Sequence, residues 1–193
     1  MAEVVFDASC EQVAAQLEPY LHATNEGERV GWRKPTIICS LYAPETGEVA
    51  LVRPWRALGQ ESADQALTPP QTTYRPPEEV GQALVRKTTE GLSLSLDALV
   101  RVHGLHTEEQ PFLAGRKLGR RRVFGVLCGV VAGRPELAED QDKYASGQWY
   151  TFGQAEAAFQ IQAASHLHER GQRNLRVLDH IRALGRQLGS TAE

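Results

Sequence analysis

The run Val123 to Ala132, VFGVLCGVVA, constrains the fold of this chain more than any other segment. It is apolar at nearly every position and contains several β-branched residues, which is typical of a β-strand that is buried on both faces. Together with Gly133 it reaches only about half the length of a membrane-spanning helix, so we expect no transmembrane segment. The run therefore predicts an inner strand of a sheet that is covered on both sides.

The other segments predict a mixture of strands and helices. Residues 36–42 and 48–55 flank a turn and predict a β-hairpin, a short aromatic strand is expected at 149–152, and the residues after Gly91 predict one or two more strands. Apolar periodicity predicts helices at residues 4–22, from Glu78 to Glu90, at 154–169 and at 173–188. This order favours an α+β fold, an α/β/α sandwich with a mixed sheet, over a regular parallel βαβ array.

Composition indicates an ordinary globular protein in a reducing compartment. The chain has 193 residues, of which 41% are hydrophobic and 23% are charged, and this excludes disordered and fibrous classes. Its three cysteines, Cys10, Cys39 and Cys128, have no close spacing, which disfavours a disulfide framework or a zinc site. The first residues have no signal-peptide layout, so we expect a cytoplasmic protein with inert, buried thiols.

Charge is distributed unevenly along the chain, although the formal net charge is only -3. One cluster of bases stands out as a candidate contact to a phosphate-bearing ligand, and it consists of Arg116, Lys117, Arg120, Arg121 and Arg122. A solvated or salt-bridged strand edge is the alternative. The negative net charge and the lack of interleaved aromatic residues disfavour a nucleic-acid partner.

Three segments resemble the Nudix (MutT-like) superfamily. They are TIICSLYAPETGEVALVRPW, PPQTTYRPPEEVGQALVRKTTEGLSL, and RVFGVLCGVVAG followed by an acid-rich loop and GQWYTFGQAEAAF. The resemblance implies a Nudix-like α/β/α sandwich with a mixed sheet and extra N- and C-terminal helices. It covers residues 36–165, so residues 1–35 are expected to form an N-terminal helical arm and residues 166–193 a C-terminal helical extension.

The catalytic box of that family is degenerate in this sequence. The box reads G-G-x5-E-x7-R-E-U-x-E-E-x-G-U, where U is a bulky aliphatic residue, and its last two positions can be anchored on Gly91 and Leu92. In that alignment prolines replace the glycines and the first glutamate, and the other chemically active positions hold Leu84, Val85, Thr88 and Thr89. A slip of one residue recovers only Glu90 as an acid.

The resemblance therefore implies a Nudix-fold protein that has lost its catalytic glutamates. We expect it to bind a nucleotide-like ligand or a protein partner without the standard hydrolysis, and without a metal or another cofactor. A purely structural interaction protein is a further possibility, because its helical arms offer contact surfaces.

The alternative is an atypical Nudix hydrolase of nucleoside diphosphate-linked compounds that holds magnesium with relocated acids. Its ligands would come from Glu78, Glu79, Glu90 and the loop acids Glu136, Glu139, Asp140 and Asp142, with Glu90 and Glu139 as weak catalytic candidates. A solvated acidic loop explains the same residues more simply.

The terminal helices and the histidines complete the expectations. Residues 4–22 are acidic and residues 173–188 are basic, and each carries an apolar stripe that needs cover. They can pair within one chain or reciprocally between two chains, and we expect a homodimer. The pairs His103/His106 and His166/His168 are expected to be packing or surface residues, because a third metal ligand is not evident.

Overall fold

The computed structural model describes residues 4–22, 35–54, 67–112, 120–137 and 144–190. The elements in chain order are β1 (Val5–Phe6), α1 (Ser9–His22), β2 (Thr36–Ala43), β3 (Glu48–Pro54), β4 (Gln71–Thr73), α2 (Val80–Leu92), β5 (Leu99–Phe112), β6 (Arg120–Val131), β7 (Tyr144–Thr151), α3 (Phe152–Ala163) and α4 (His168–Ser190). A short 3-10 turn, Leu96–Ala98, leads into β5.

The seven strands form one mixed sheet. Its order is β1-β5-β6-β2-β3-β7, with β4 paired to the first half of β2. The strand β6 lies inside the sheet, antiparallel to β5 and parallel to β2. Its residues Val126, Leu127 and Cys128 are fully buried. The inner strand predicted from residues 123–132 is therefore confirmed.

In the described part of the chain, two helices cover each face of the sheet. On one face, Ile37 and Cys39 of β2 belong to a core cluster with Leu17 of α1 and Leu84 of α2. On the opposite face, the β-strand side chains pack with α3 and α4 in a second cluster that includes Ile38, Phe124, Phe159 and Leu178. Alternation along the strands supplies both clusters, because successive side chains point to opposite faces. The predicted α/β/α sandwich with a mixed sheet is confirmed.

Several predicted helix boundaries are wrong by a few residues. The helix α1 starts at Ser9 rather than residue 4, because Val5 and Phe6 pair with β5 instead and the Asp7 carboxylate accepts a hydrogen bond from the Ser9 N–H. The helix α3 starts at Phe152, where the side chain of Thr151 accepts from the N–H of Gln154. It ends at Ala163, earlier than predicted, and α4 begins at His168.

The two terminal helices lie on opposite faces of the sheet and do not pair with each other. The apolar stripe of α1, with Val13 and Leu17, is buried against the sheet, and so is the stripe of α4, with Leu178 and Ile181. A homodimer was expected because these stripes need cover, and the structure shows that one chain covers both of them. The homodimer itself stays a prediction, and it would need another surface.

No helix in the described residues combines the length and the apolar character needed to cross a membrane.

The carboxylate of Glu108 connects β5 to α4. It forms an ion pair with Arg176, accepts a hydrogen bond from Gln110 Nε2 at 2.8 Å, and lies 3.7 Å from His106 Nε2. Burial by itself raises the pKa of Glu108, but its interactions with His106, Arg176 and Gln110 outweigh burial and lower the pKa to about 2. Glu108 is therefore ionised at neutral pH.

Acid is expected to weaken this connection. Because the pKa in the folded chain lies below the usual value, the stabilisation by Glu108 is complete above pH 4.5 and is lost as the pH falls toward 2. We expect Glu108→Gln to lower the free energy of unfolding by about 2 kcal/mol at pH 6, a value discounted because water reaches Arg176 and screens the pair. The difference from wild type should vanish near pH 2.

Urea unfolding at several pH values measures this effect. The variant Glu11→Gln, at an exposed residue of α1, is the control for simple charge removal. It should change the unfolding free energy at pH 6 by less than about 0.5 kcal/mol. A Glu108→Gln variant as stable as wild type at pH 6 would contradict the role of this carboxylate.

Candidate functional site

The helix α2 carries the positions that the sequence aligns with the catalytic box. It starts at Val80, after Glu79, whose N–H donates to Gln82 Oε1 at 3.3 Å. It ends at Leu92 and not at Gly91, and the residue that leaves the helix in the left-handed conformation is Ser93, with φ at 51°. A glycine usually takes this position, because a side chain is strained there.

The threonines of α2 use their hydroxyl groups on their own helix. The hydroxyl of Thr88 donates to the carbonyl oxygens of Leu84 at 3.0 Å and Val85 at 3.1 Å, and Thr88 is fully buried. The hydroxyl of Thr89 donates to the carbonyl oxygen of Val85 at 2.8 Å. These hydroxyls are therefore engaged within the helix, and they are weak ligands for a hard cation in any case.

An ion pair joins Glu78 to Arg86. Arg86 Nε donates to Glu78 Oε2 at 2.9 Å and Arg86 Nη2 donates to Glu78 Oε1 at 2.8 Å, which is a two-point contact. Arg86 also donates to Thr72 Oγ1 and to the carbonyl oxygen of Thr73 in β4. The hydrogen bond from Arg86 holds the pKa of Glu78 below its usual value. The pair attaches the segment before α2 and the strand β4 to the helix.

This ion pair indicates where the box falls on the chain. Glu78 and Arg86 are eight positions apart, the same spacing as the E-x7-R of the box, and Ser93 takes the backbone conformation suited to the final glycine. Both observations favour a register two residues later than the alignment anchored on Gly91 and Leu92. Lys87 then occupies the position of the glutamate after the arginine.

In this register one of the two metal-binding glutamates is present, as Glu90, and the other is replaced by Gly91. The spacing of Glu78 and Arg86 was visible in the sequence. Anchoring the box on a glycine concealed it, because the helix passes through Gly91 and ends after Leu92.

The side chain of Lys87 is buried on α2. It is 4% exposed, and a Cβ added to Gly91 would lie 2.6 Å from Lys87 Nζ, so the ammonium lies over the next turn of the helix. The thiol of Cys39 is near enough to feel this charge, but burial dominates and raises the pKa of Cys39 to about 12. Burial likewise raises the pKa of Cys128 to about 12 and that of Cys10 to about 11. The prediction of inert, buried thiols is confirmed.

The acids proposed as relocated metal ligands do not form a described cluster. Glu79, Glu90 and Glu136 are exposed, while Glu78 is bound to Arg86. Glu139, Asp140 and Asp142 lie outside the described residues. Within the ranges that the structure describes, no group of three or more His, Cys, Asp or Glu side chains is placed to hold a metal ion.

The basic run cannot be placed as a whole. Arg116 and Lys117 lie outside the described residues. The backbone of Arg120, Arg121 and Arg122 forms the start of β6, where it pairs with the end of β5, but the structure describes no more than their backbone. Their contact with a phosphate-bearing ligand stays a prediction.

Comparisons with known proteins identify the fold. No protein-family model matches the chain, and no curated protein matches it. Among solved structures, the chain is similar to the E. coli dihydroneopterin triphosphate pyrophosphohydrolase, with a TM-score of 0.54 and 14% identity over 75% of this chain and 94% of that one. A C. elegans Ap4A hydrolase binary complex aligns with a TM-score of 0.48 and 15% identity, covering 77% of this chain and 96% of that chain. At such identities the likeness shows the fold alone.

Proposed function

Given the Nudix-like fold, which is confirmed, we propose that this chain binds a nucleotide-like ligand and does not hydrolyse diphosphates by the standard route. A protein partner in place of the small ligand is the other form of this proposal.

The proposal is carried by the composition of one face of α2. Magnesium bound to a diphosphate needs several hard, charged oxygen ligands at near-octahedral geometry. In the register that the Glu78–Arg86 pair favours, this face has one exposed carboxylate, Glu90, and the buried side chain of Lys87 beside it. A cation beside that position disfavours a metal ion. The described residues of α2 therefore do not fit a magnesium site.

The alternative hydrolase has less support from the same geometry. It would draw its ligands from Glu78, Glu79, Glu90 and the acids of the 136–142 loop, and Glu78 is already neutralised by Arg86. To replace it, the loop acids would have to supply most of the negative charge at the site.

An activity assay tests the proposal directly. The intact chain should not turn over ATP, ADP-ribose or Ap4A above the uncatalysed rate with Mg²⁺ or Mn²⁺, as measured by chromatography of the products. In EDTA, ADP-ribose should still raise the melting temperature, because ligands that bind the folded state stabilise it.

Three variants decide the outcome if hydrolysis is found. Robust hydrolysis that is abolished by Glu90→Gln or Glu139→Gln, and unchanged by Glu45→Gln in the exposed β2–β3 turn, would overturn the proposal in favour of the alternative. If the chain neither hydrolyses these compounds nor is stabilised by ADP-ribose, the small ligand is excluded, and the proposal of a protein partner stands in its place.

A further inference from the structure

A polar cavity lies at the β1 edge of the sheet, on the side of α4 and away from α2. Its volume is about 410 Å³, within the range of small-molecule sites. Its polar lining includes Asp7, Arg101, His103 and His180, and the C-terminal half of α4 supplies an apolar wall with Leu184. These residues come from three separate parts of the chain, and none belongs to the box.

The polar wall of this cavity is fixed in place. The carboxylate of Asp7 accepts hydrogen bonds from the Ser9 N–H at 2.9 Å and the Ser9 hydroxyl at 2.6 Å, and the Ser9 hydroxyl accepts one from the Gly104 N–H at 2.9 Å. A Cβ on Gly104 would lie 2.2 Å from the Ser9 carbonyl oxygen, so only glycine permits this close approach. Such bonds hold a binding group at a set position before a ligand arrives.

Asp7 is a charged acceptor that faces the cavity. Its hydrogen bonds from Ser9 lower its pKa, so the carboxylate is ionised at neutral pH. One oxygen is occupied by Ser9, and the other lies 3.6 Å from His103 Nδ1. The side chain of Asp7 is 37% exposed, which leaves this second oxygen accessible to hydroxyl groups of a ligand.

Arg101 supplies the opposite charge about two strand residues away. In the pairing of β1 with β5, Val5 is opposite Arg101 and Phe6 is opposite Val102, so Asp7 follows at the level of His103. Two residues of a strand span about 7 Å. Arg101 is exposed, and its guanidinium makes no hydrogen bond to the described part of the chain. It is therefore available to an anion, with phosphate geometry favoured by its planar fork.

The spacing of these two positions along the sheet edge favours one class of ligand. A phosphate and the ring hydroxyls of a ribose are separated by about the two-residue spacing of a strand. The apolar wall and the imidazole of His180, which stacks on His106 at 4.1 Å, leave room for a flat ring beside the sugar.

We propose that this cavity binds a phosphorylated ribose, either free or within a nucleoside monophosphate, with the phosphate on Arg101 and the ring hydroxyls on Asp7. The site is separate from α2 and does not depend on the proposed function of that helix. A rise in melting temperature with ADP-ribose that persists in Arg101→Gln belongs to α2, so either proposal can fail alone.

Isothermal titration of the intact chain in EDTA tests this site with AMP, ribose 5-phosphate and inorganic phosphate as probes. We expect both AMP and ribose 5-phosphate to bind. Arg101→Gln should weaken both by at least about tenfold, because a charge-assisted contact is lost. Asp7→Asn, which preserves the start of α1, should weaken ribose 5-phosphate and leave inorganic phosphate unaffected or tighter. Tighter binding of AMP identifies the nucleoside monophosphate, and equal binding identifies the free sugar phosphate.

Glu45→Gln, in the exposed β2–β3 turn, is the control and should bind both compounds as wild type does. The melting temperature of each variant shows that it is folded. Three results would overturn the proposal: no binding of AMP or ribose 5-phosphate at millimolar concentration, binding that is unchanged in Arg101→Gln, or binding of inorganic phosphate alone.

Discussion

Replacing Leu84 with alanine is expected to lower the free energy of unfolding by about 2–5 kcal/mol. Leu84 is fully buried at the centre of α2, and its Cδ2 would lie 3.2 Å from a Cβ on Gly129 of β6. The side chain therefore packs directly onto the inner strand of the sheet. Its truncation leaves a cavity between the helix and that strand, and the neighbouring backbone elements cannot close it fully. Urea unfolding followed by circular dichroism measures the loss.

An exposed position on the same helix is the control for this change. Glu90→Ala alters α2 one and a half turns later, where the side chain faces solvent, and should change stability by less than about 0.5 kcal/mol. If Leu84→Ala were as stable as wild type, α2 would not be docked as described. The assignment of its other face to a binding site would then also fail.

Features determined by local pattern were predictable from the sequence. The inner strand β6 is predictable because a run of ten mostly apolar residues is typical of a strand that is covered on both faces. Glu78 and Glu79, which follow two prolines, predict the start of α2 to within two residues, because the helix begins at Val80. The end of α2 was placed slightly early, since the left-handed residue after this helix is Ser93 and not a glycine.

Contacts between distant parts of the chain were not predictable in this way. The strand β1 has two residues, and only its pairing with Arg101 and Val102 of β5 makes it a strand. The acidic and basic helices suggested mutual pairing, but burying their apolar stripes on the sheet outweighs exposed charge attraction. The cavity beside Asp7 depends on the same long-range pairing, so neither Asp7 nor Arg101 stood out in the sequence.

Gly171→Ala is expected to destabilise the fold by about 1–3 kcal/mol, the usual range for a group forced into packed surroundings. Gly171 lies in the first turn of α4, and a Cβ there would lie 2.2 Å from the backbone nitrogen of Ala163 and 2.6 Å from its Cα. These are backbone atoms at the end of α3, so rotation of a side chain cannot relieve the overlap. The two helices would have to separate.

Alanine at Gly153 should change the free energy of unfolding in the opposite direction. Gly153 is a helical residue of α3 with nothing within 4 Å of an added Cβ, so alanine there should stabilise the fold by about 0.5–1 kcal/mol through its higher helix propensity. Thermal unfolding of both variants distinguishes packing from propensity, because propensity alone predicts a gain at both positions. A gain in Gly171→Ala would show that α3 and α4 do not approach closely. It would also remove the support for the cavity wall, since the position of α4 places His180 and Leu184 opposite Asp7 and Arg101.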